Sequence, residues 1–118
     1  MSKFHTYTLQ EIQLIQDCVT CEIDEQDAFV SDITGYNLKH ESSQNAKDIL
    51  FHTNQAEVLT AGLKQVESQQ PLTVIQRNDF IELLTSWLIY YTINPCCDIN
   101  NPNLATALEK MYSNSPSF

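Results

Sequence analysis

Turn-forming residues are scarce in this sequence: two glycines, Gly35 and Gly62, and four prolines are spread over 118 residues. A β-sandwich or β-barrel of many strands needs a turn about every ten residues, so this scarcity argues against both. The length suits one domain, and the hydrophobic fraction of 42% is ordinary for a globular protein. We therefore predict an all-α fold, a single-domain bundle of four or five helices over residues 1–118, with frayed ends at 1–6 and 113–118.

The first half of the chain carries a helix-start signal followed by apolar residues at helical spacing. Thr8 and Glu11 have the spacing of a capping box. The apolar stripe that follows comprises Leu9, Ile12, Ile15, Val19 and Ile23. Acidic residues are unfavourable near a helix C-terminus and favourable in a first turn, so we predict a break near Asp24 and a second helix closed by Gly35. Residues 43–68 keep the helical period, as one long helix or two shorter ones.

The most hydrophobic segment is Val74–Ile93, which begins with a second capping box formed by Thr73 and Gln76. Its apolar residues occupy more than one face, which is typical of a central helix with most of its surface buried. Asn101 and Pro102 then supply an N-cap and a first-turn proline for a last helix with one apolar face. These signals predict a bundle built around the helix at 74–93.

Negative charge is concentrated in the first third of the chain. Seven carboxylates and one cation, Lys3, leave residues 1–38 with a net charge of −6, out of −9 for the whole sequence. Such a field attracts basic surfaces and repels nucleic acid and anionic lipid. We therefore expect neither direct nucleic-acid binding nor membrane binding.

Sequence motifs for catalysis and metal binding are weak. Cys18 and Cys21 form a C-x-x-C pair, with Cys96 and Cys97 as a conceivable second half of a zinc site. The pair falls inside a predicted helix, and two adjacent cysteines cannot easily direct both sulfurs to one ion. The three histidines, His5, His40 and His52, match no metal-binding motif, and the two glycines allow no phosphate-binding loop. We predict no catalytic residues, no metal site and no cofactor; a small zinc or thiol protein using Cys18 and Cys21 is a minor alternative.

The location predicted from the sequence is the cytoplasm. The N-terminus is polar and lacks the apolar stretch of a secretory signal. The longest apolar region, 80–93, is too short and too polar for a bilayer, which takes about 20 apolar residues.

The acidic stretch, residues 11–32, suggests a binding protein rather than an enzyme. We predict an inhibitor that binds a basic, nucleic-acid-acting protein, such as an immunity protein, an antitoxin or a phage anti-defence protein. The predicted partner-binding residues are Glu22, Asp24, Glu25, Asp27, Asp32 and Tyr36. Two alternatives stay open: an acidic face that only keeps the protein soluble, and a structural homo-oligomer, such as a homodimer, assembled through the apolar 87–91 segment.

Overall fold

The computed structural model describes residues 4–37, 43–93 and 101–117, with all their side chains except those of residues 29, 30, 32–37, 43–46 and 101. Four helices pack against one another in these ranges, which confirms the predicted all-α bundle. They are α1 (Leu9–Asn37), α2 (Ser43–Glu67), α3 (Val74–Ile93) and α4 (Asn101–Ser113). The described residues contain no strand, only an isolated bridge between Thr73 and Ser117.

The core is built from one stripe of each helix. α1 contacts the other three helices, α2 also contacts α3, and α3 also contacts α4. The core residues with at most 1% of their surface exposed are Ile15, Val19, Leu59, Val66, Phe80, Leu84, Leu104, Ala107 and Met111. Within each helix they recur at spacings of three, four or seven, as the apolar periodicity predicts.

α1 is continuous, so the predicted break near Asp24 is wrong, as is the predicted end at Gly35. Helix-end electrostatics does not apply here, because the macrodipole acts within the first and last turns and these acids lie in the middle of 29 residues. Contacts support the continuous helix instead: Ile23 packs on the core, and the buried Gln26 donates a hydrogen bond to Gln55 of α2 (2.7 Å). α2 is likewise one helix of 25 residues.

α3 has the predicted bounds and contacts all three other helices, but its burial is confined to one face. Its buried residues are Phe80, Leu83 and Leu84, whereas Ile89 and Ile93 are 54% and 71% exposed. The expectation that most of α3 is buried is therefore wrong. The bundle is only 18 Å across its thinnest direction, about two helix layers, and a two-layer bundle leaves each helix an outer side. None of the helices within the described ranges is long and apolar enough to cross a membrane.

α2 ends in a Schellman motif without a glycine. The Gln70 N–H donates to the Gln65 carbonyl (2.8 Å) and the Gln69 N–H to the Val66 carbonyl (3.1 Å), with Gln69 at a φ of 58°. A side chain in this left-handed region is unfavourable. The Gln69 amide offsets that cost by accepting from the Tyr7 N–H (2.9 Å) and donating to the Tyr7 carbonyl (3.0 Å).

Asn114 binds the N-terminal segment in the same way as Gln69. Its side-chain oxygen accepts from the His5 N–H (2.7 Å), and its amide nitrogen donates to the His5 carbonyl (3.1 Å). The Ser117 N–H donates to the Leu72 carbonyl (2.8 Å). Hydrogen bonds therefore join the described residues at both ends of the chain to the bundle, while the predicted fraying of 1–6 and 113–118 stays a prediction.

Both predicted capping boxes are present. In the first, the Thr8 N–H donates to Glu11 (2.7 Å) and the Glu11 N–H donates to Thr8 (3.1 Å). Glu11 is 1% exposed and also forms an ion pair with Lys110 of α4 (2.5 Å). In the second, the Thr73 N–H donates to the Gln76 side chain (2.9 Å) and the Gln76 N–H donates to the Thr73 hydroxyl (3.2 Å). The first capping box therefore also links the start of α1 to α4.

This buried carboxylate makes stability depend on pH. Burial raises the pKa of Glu11, but the hydrogen bonds from Lys110 and the Thr8 N–H lower it by more, so the pKa lies below its ordinary value. A depressed pKa stabilises the fold above the unfolded-state pKa, and that contribution is lost as pH falls through the folded-state pKa. We expect the difference in unfolding free energy between wild type and Glu11→Gln, measured with urea, to shrink from about pH 6 to about pH 3. A difference that stays constant over this range would contradict the assignment.

Candidate functional site

A groove of about 400 Å³ lies between α1, α2 and α3. We call it the acidic groove, because four carboxylates line it. Its lining residues are Glu22, Glu25, Gln55, Leu59, Asp79, Glu82, Leu83, Ser86, Trp87 and Tyr90. Polar and apolar side chains therefore share one concave surface, as in sites that bind amphipathic groups.

Helical spacing explains how these side chains come together. Glu22 and Glu25 are three residues apart on α1, and Asp79 and Glu82 are three apart on α3, so each pair shares a helix face. The other α3 residues of the groove continue the same stripe for two more turns, as far as Tyr90. The packing of α1 against α3 then brings the two acidic pairs to one groove.

The negative charge of the groove is uncompensated within the described part of the chain. Among those residues, no lysine or arginine forms an ion pair with Glu22, Glu25, Asp79 or Glu82; the recorded pair joins Glu11 to Lys110. Burial raises the pKa of Asp79, and the neighbouring Glu82 raises it further. A bound cation would relieve both the desolvation and the repulsion.

One wall of the groove is aromatic. The Trp87 and Tyr90 rings meet edge to face with centroids 5.8 Å apart, and Tyr90 is 49% exposed. The Tyr91 ring contacts both of these rings, with centroids 5.7 Å from each, and packs against the core. The two adjacent tyrosines therefore divide between the groove and the core.

A buried glutamine fixes the α1–α2 side of the groove. Gln26 is 6% exposed, and its amide nitrogen donates to Glu22 (2.9 Å) as well as to Gln55 (2.7 Å). Its amide oxygen contacts Nδ1 of His52. These contacts hold two groove side chains in defined positions, which favours a preformed binding surface.

The structure brings together two of the six sequence-predicted site residues, Glu22 and Glu25. Asp24 and Asp27 are exposed outside the acidic groove, and Asp27 lines a second groove of about 360 Å³ between α1 and α2. The side chains of Asp32 and Tyr36 lie outside the described residues.

Sequence reasoning missed Asp79 and Glu82, because they lie 47 and 50 residues beyond Asp32, the last of the clustered acids in the first third of the chain. Their spacing of three, on the α3 face that also carries Trp87 and Tyr90, is the signal that could have identified them.

The two described cysteines lie in different environments. Cys18 is buried in the core and Cys21 is exposed. Burial, followed by the nearby Cys21 and Asp17, raises the pKa of Cys18 to about 12. A thiol with such a pKa is rarely the thiolate that metal binding or redox chemistry needs. No group of three or more metal-ligating side chains occurs within the described ranges, and Cys96 and Cys97 lie outside them.

No family model matches this chain, and no curated protein or solved structure is significantly similar to it. Its function is therefore inferred from the chemistry of the acidic groove.

Proposed function

We propose that this protein binds a basic, nucleic-acid-acting protein through the acidic groove and thereby inhibits it in the cytoplasm. An immunity protein, an antitoxin or a phage anti-defence inhibitor would act in this way. The observation that supports the proposal is the set of four groove carboxylates without an ion-pair partner among the described residues. Since surfaces that bind phosphate carry clustered lysine and arginine, an array of carboxylates can occupy the same surface.

Long-range charge supports the same role. The chain carries −9, and Asp24 and Asp27 expose further carboxylates on α1 beside the two that line the groove. Attraction of this kind mainly accelerates association and weakens as salt rises. Asp32 and Tyr36, further along α1, stay predicted contacts of the partner.

Affinity capture from a lysate of the native host tests the proposal. The capture is done at low salt and at about 0.5 M salt, where the screening length is about 4 Å. We expect a basic, nucleic-acid-acting protein to be captured at low salt. The amount of this protein that is captured should fall at high salt. Capture of acidic or neutral proteins alone, or equal capture at both salts, would contradict the charge-driven model.

Neutralising the groove is expected to weaken the captured complex about 100-fold, because four charge pairs at roughly 0.7 kcal/mol each are lost. The groove variant carries Glu22→Gln, Glu25→Gln, Asp79→Asn and Glu82→Gln. The control variant carries Asp17→Asn, Glu57→Gln, Glu67→Gln and Glu109→Gln, four exposed acids outside the groove. Both variants have a net charge of −5 (−9 plus four), so they differ in where charge is lost.

Association and dissociation rates measured by surface plasmon resonance should change several-fold at most for the control variant. Equal weakening in both variants would show that overall charge, rather than the groove, determines affinity.

A structural homo-oligomer is the second candidate, and the exposed end of α3 favours it. Ile89, Tyr90 and Ile93 expose 54%, 49% and 71% of their surfaces, and exposed apolar residues close together often mark an interface. Light scattering distinguishes the candidates: the inhibitor is expected to be monomeric before it meets its partner. A stable dimer that Ile93→Asp dissociates would favour the homo-oligomer.

A further inference from the structure

We infer that the acidic groove recognises an arginine side chain of its partner, with the guanidinium against the ring of Trp87 and its N–H groups directed to the groove carboxylates. The inference rests on the proposed function and goes further by naming the type of residue that is bound. It follows from the combination of an aromatic wall and carboxylates in one groove.

Carboxylates alone attract any cation, but an aromatic wall discriminates between cations. A guanidinium is planar and weakly hydrated, so it can stack on an indole ring while its in-plane N–H groups donate to carboxylates. A lysine ammonium is a strongly hydrated point charge, and it would gain less from the ring. Trp87 and Tyr90 supply the ring faces and edges, and the carboxylates of α1 and α3 supply the acceptors.

The dimensions of the groove suit this occupant. From Asp79 to Tyr90 the α3 stripe advances eleven residues, about 16 Å at 1.5 Å per residue. That length accommodates an extended arginine side chain together with the adjacent residues of the partner segment. Leu59 and Leu83 add apolar lining against which the arginine methylenes can pack.

The electrostatic state of the groove supports a cationic occupant. Asp79 is half-buried, and its pKa is raised first by burial and then by Glu82. Within the described part of the chain it has no lysine or arginine partner. A guanidinium bound between such carboxylates would form charge-assisted hydrogen bonds, which are about twice as strong as neutral ones.

Trp87 makes the inference testable without the natural partner. It is the single tryptophan of the chain and lines the groove, so tryptophan fluorescence reports on the groove without a signal from a second tryptophan. The probes are two blocked dipeptides of equal charge, acetyl-Arg-Arg-amide and acetyl-Lys-Lys-amide, titrated at low salt. We expect saturable quenching by both, with the arginine peptide bound about fivefold more tightly, the factor that a cation–π contact of about 1 kcal/mol provides.

The groove and control variants complete the test. Quenching by the arginine peptide should disappear in the groove variant and persist in the control variant, with circular dichroism confirming that both are folded. Equal affinity for the two peptides, no saturable quenching, or quenching that survives in the groove variant would overturn the inference. Tighter binding of spermidine than of the arginine peptide would also overturn it, by assigning the groove to a free polyamine.

Failure of this inference is distinguishable from failure of the proposed function. If arginine is not preferred but a basic host protein is captured through the groove, the proposed function stands and the inference fails. If arginine is preferred but no basic host protein is captured, the proposed function fails.

Discussion

Lys110→Met is expected to lower the free energy of unfolding by about 3 kcal/mol, because it leaves a buried carboxylate without its counter-ion. Glu11 is 1% exposed, and its carboxylate is bound by the Lys110 ammonium (2.5 Å) and the Thr8 N–H (2.7 Å). Without Lys110, hydrogen bonds from the Thr8 N–H and the Thr106 side chain are left to stabilise the charge. The Lys110 side chain is 26% exposed, so water entering beside the shorter methionine limits the loss. Urea unfolding at pH 7 measures the effect.

The matched control is the double variant Glu11→Gln with Lys110→Met. Glutamine can still accept the Thr8 N–H bond but carries no charge, so the double variant should be more stable than Lys110→Met alone. If the double variant is as unstable as the single one, packing by the lysine methylenes, rather than the ion pair, accounts for the loss.

Gly62→Ala is expected to destabilise the fold by about 2 kcal/mol, although alanine favours helices over glycine by about 1 kcal/mol. A Cβ at position 62 of α2 would clash with Cε2 of the Phe80 ring and lie 3.3 Å from Cδ2 and Cζ. Phe80 is fully buried in the core, so its ring cannot move aside without displacing neighbours. The glycine therefore permits close packing of α2 on α3, and thermal and urea unfolding measure what its replacement costs.

Replacing the Phe80 ring with a smaller side chain provides the control for this prediction. Phe80→Leu alone should destabilise the fold by leaving a cavity, but combined with Gly62→Ala the two costs should be less than additive. Additive costs, or an alanine variant more stable than wild type, would contradict the account of this contact.

Local signals in the sequence predicted much of the fold. The bounds of α3 and both capping boxes follow from apolar periodicity and from residues three apart, and the structure confirms them. The continuity of α1 could not be predicted in this way, because it is supported by contacts with α2 such as Gln26 with Gln55. The same holds for the chain ends: Asn114 and His5 are 109 residues apart in sequence.

Only two of the four carboxylates of the acidic groove were predictable from the sequence. Charge density along the chain identified Glu22 and Glu25, since they belong to a stretch of acids without a cation. Asp79 and Glu82 join them only when α1 packs against α3, a pairing that no sequence pattern specifies. Because the groove carboxylates come in equal number from two helices, the charge pattern of one helix identifies only half of them.

Competition with nucleic acid tests the central claim most directly. The captured basic partner is bound to a fluorescently labelled nucleic-acid duplex, and this protein is titrated in while the anisotropy of the duplex is followed. We predict stoichiometric release of the duplex by the wild-type protein and the control variant, and no release by the groove variant at the same concentrations. A ternary complex, in which the partner holds the duplex and this protein together, would contradict the claim that the acidic groove occupies the nucleic-acid-binding surface.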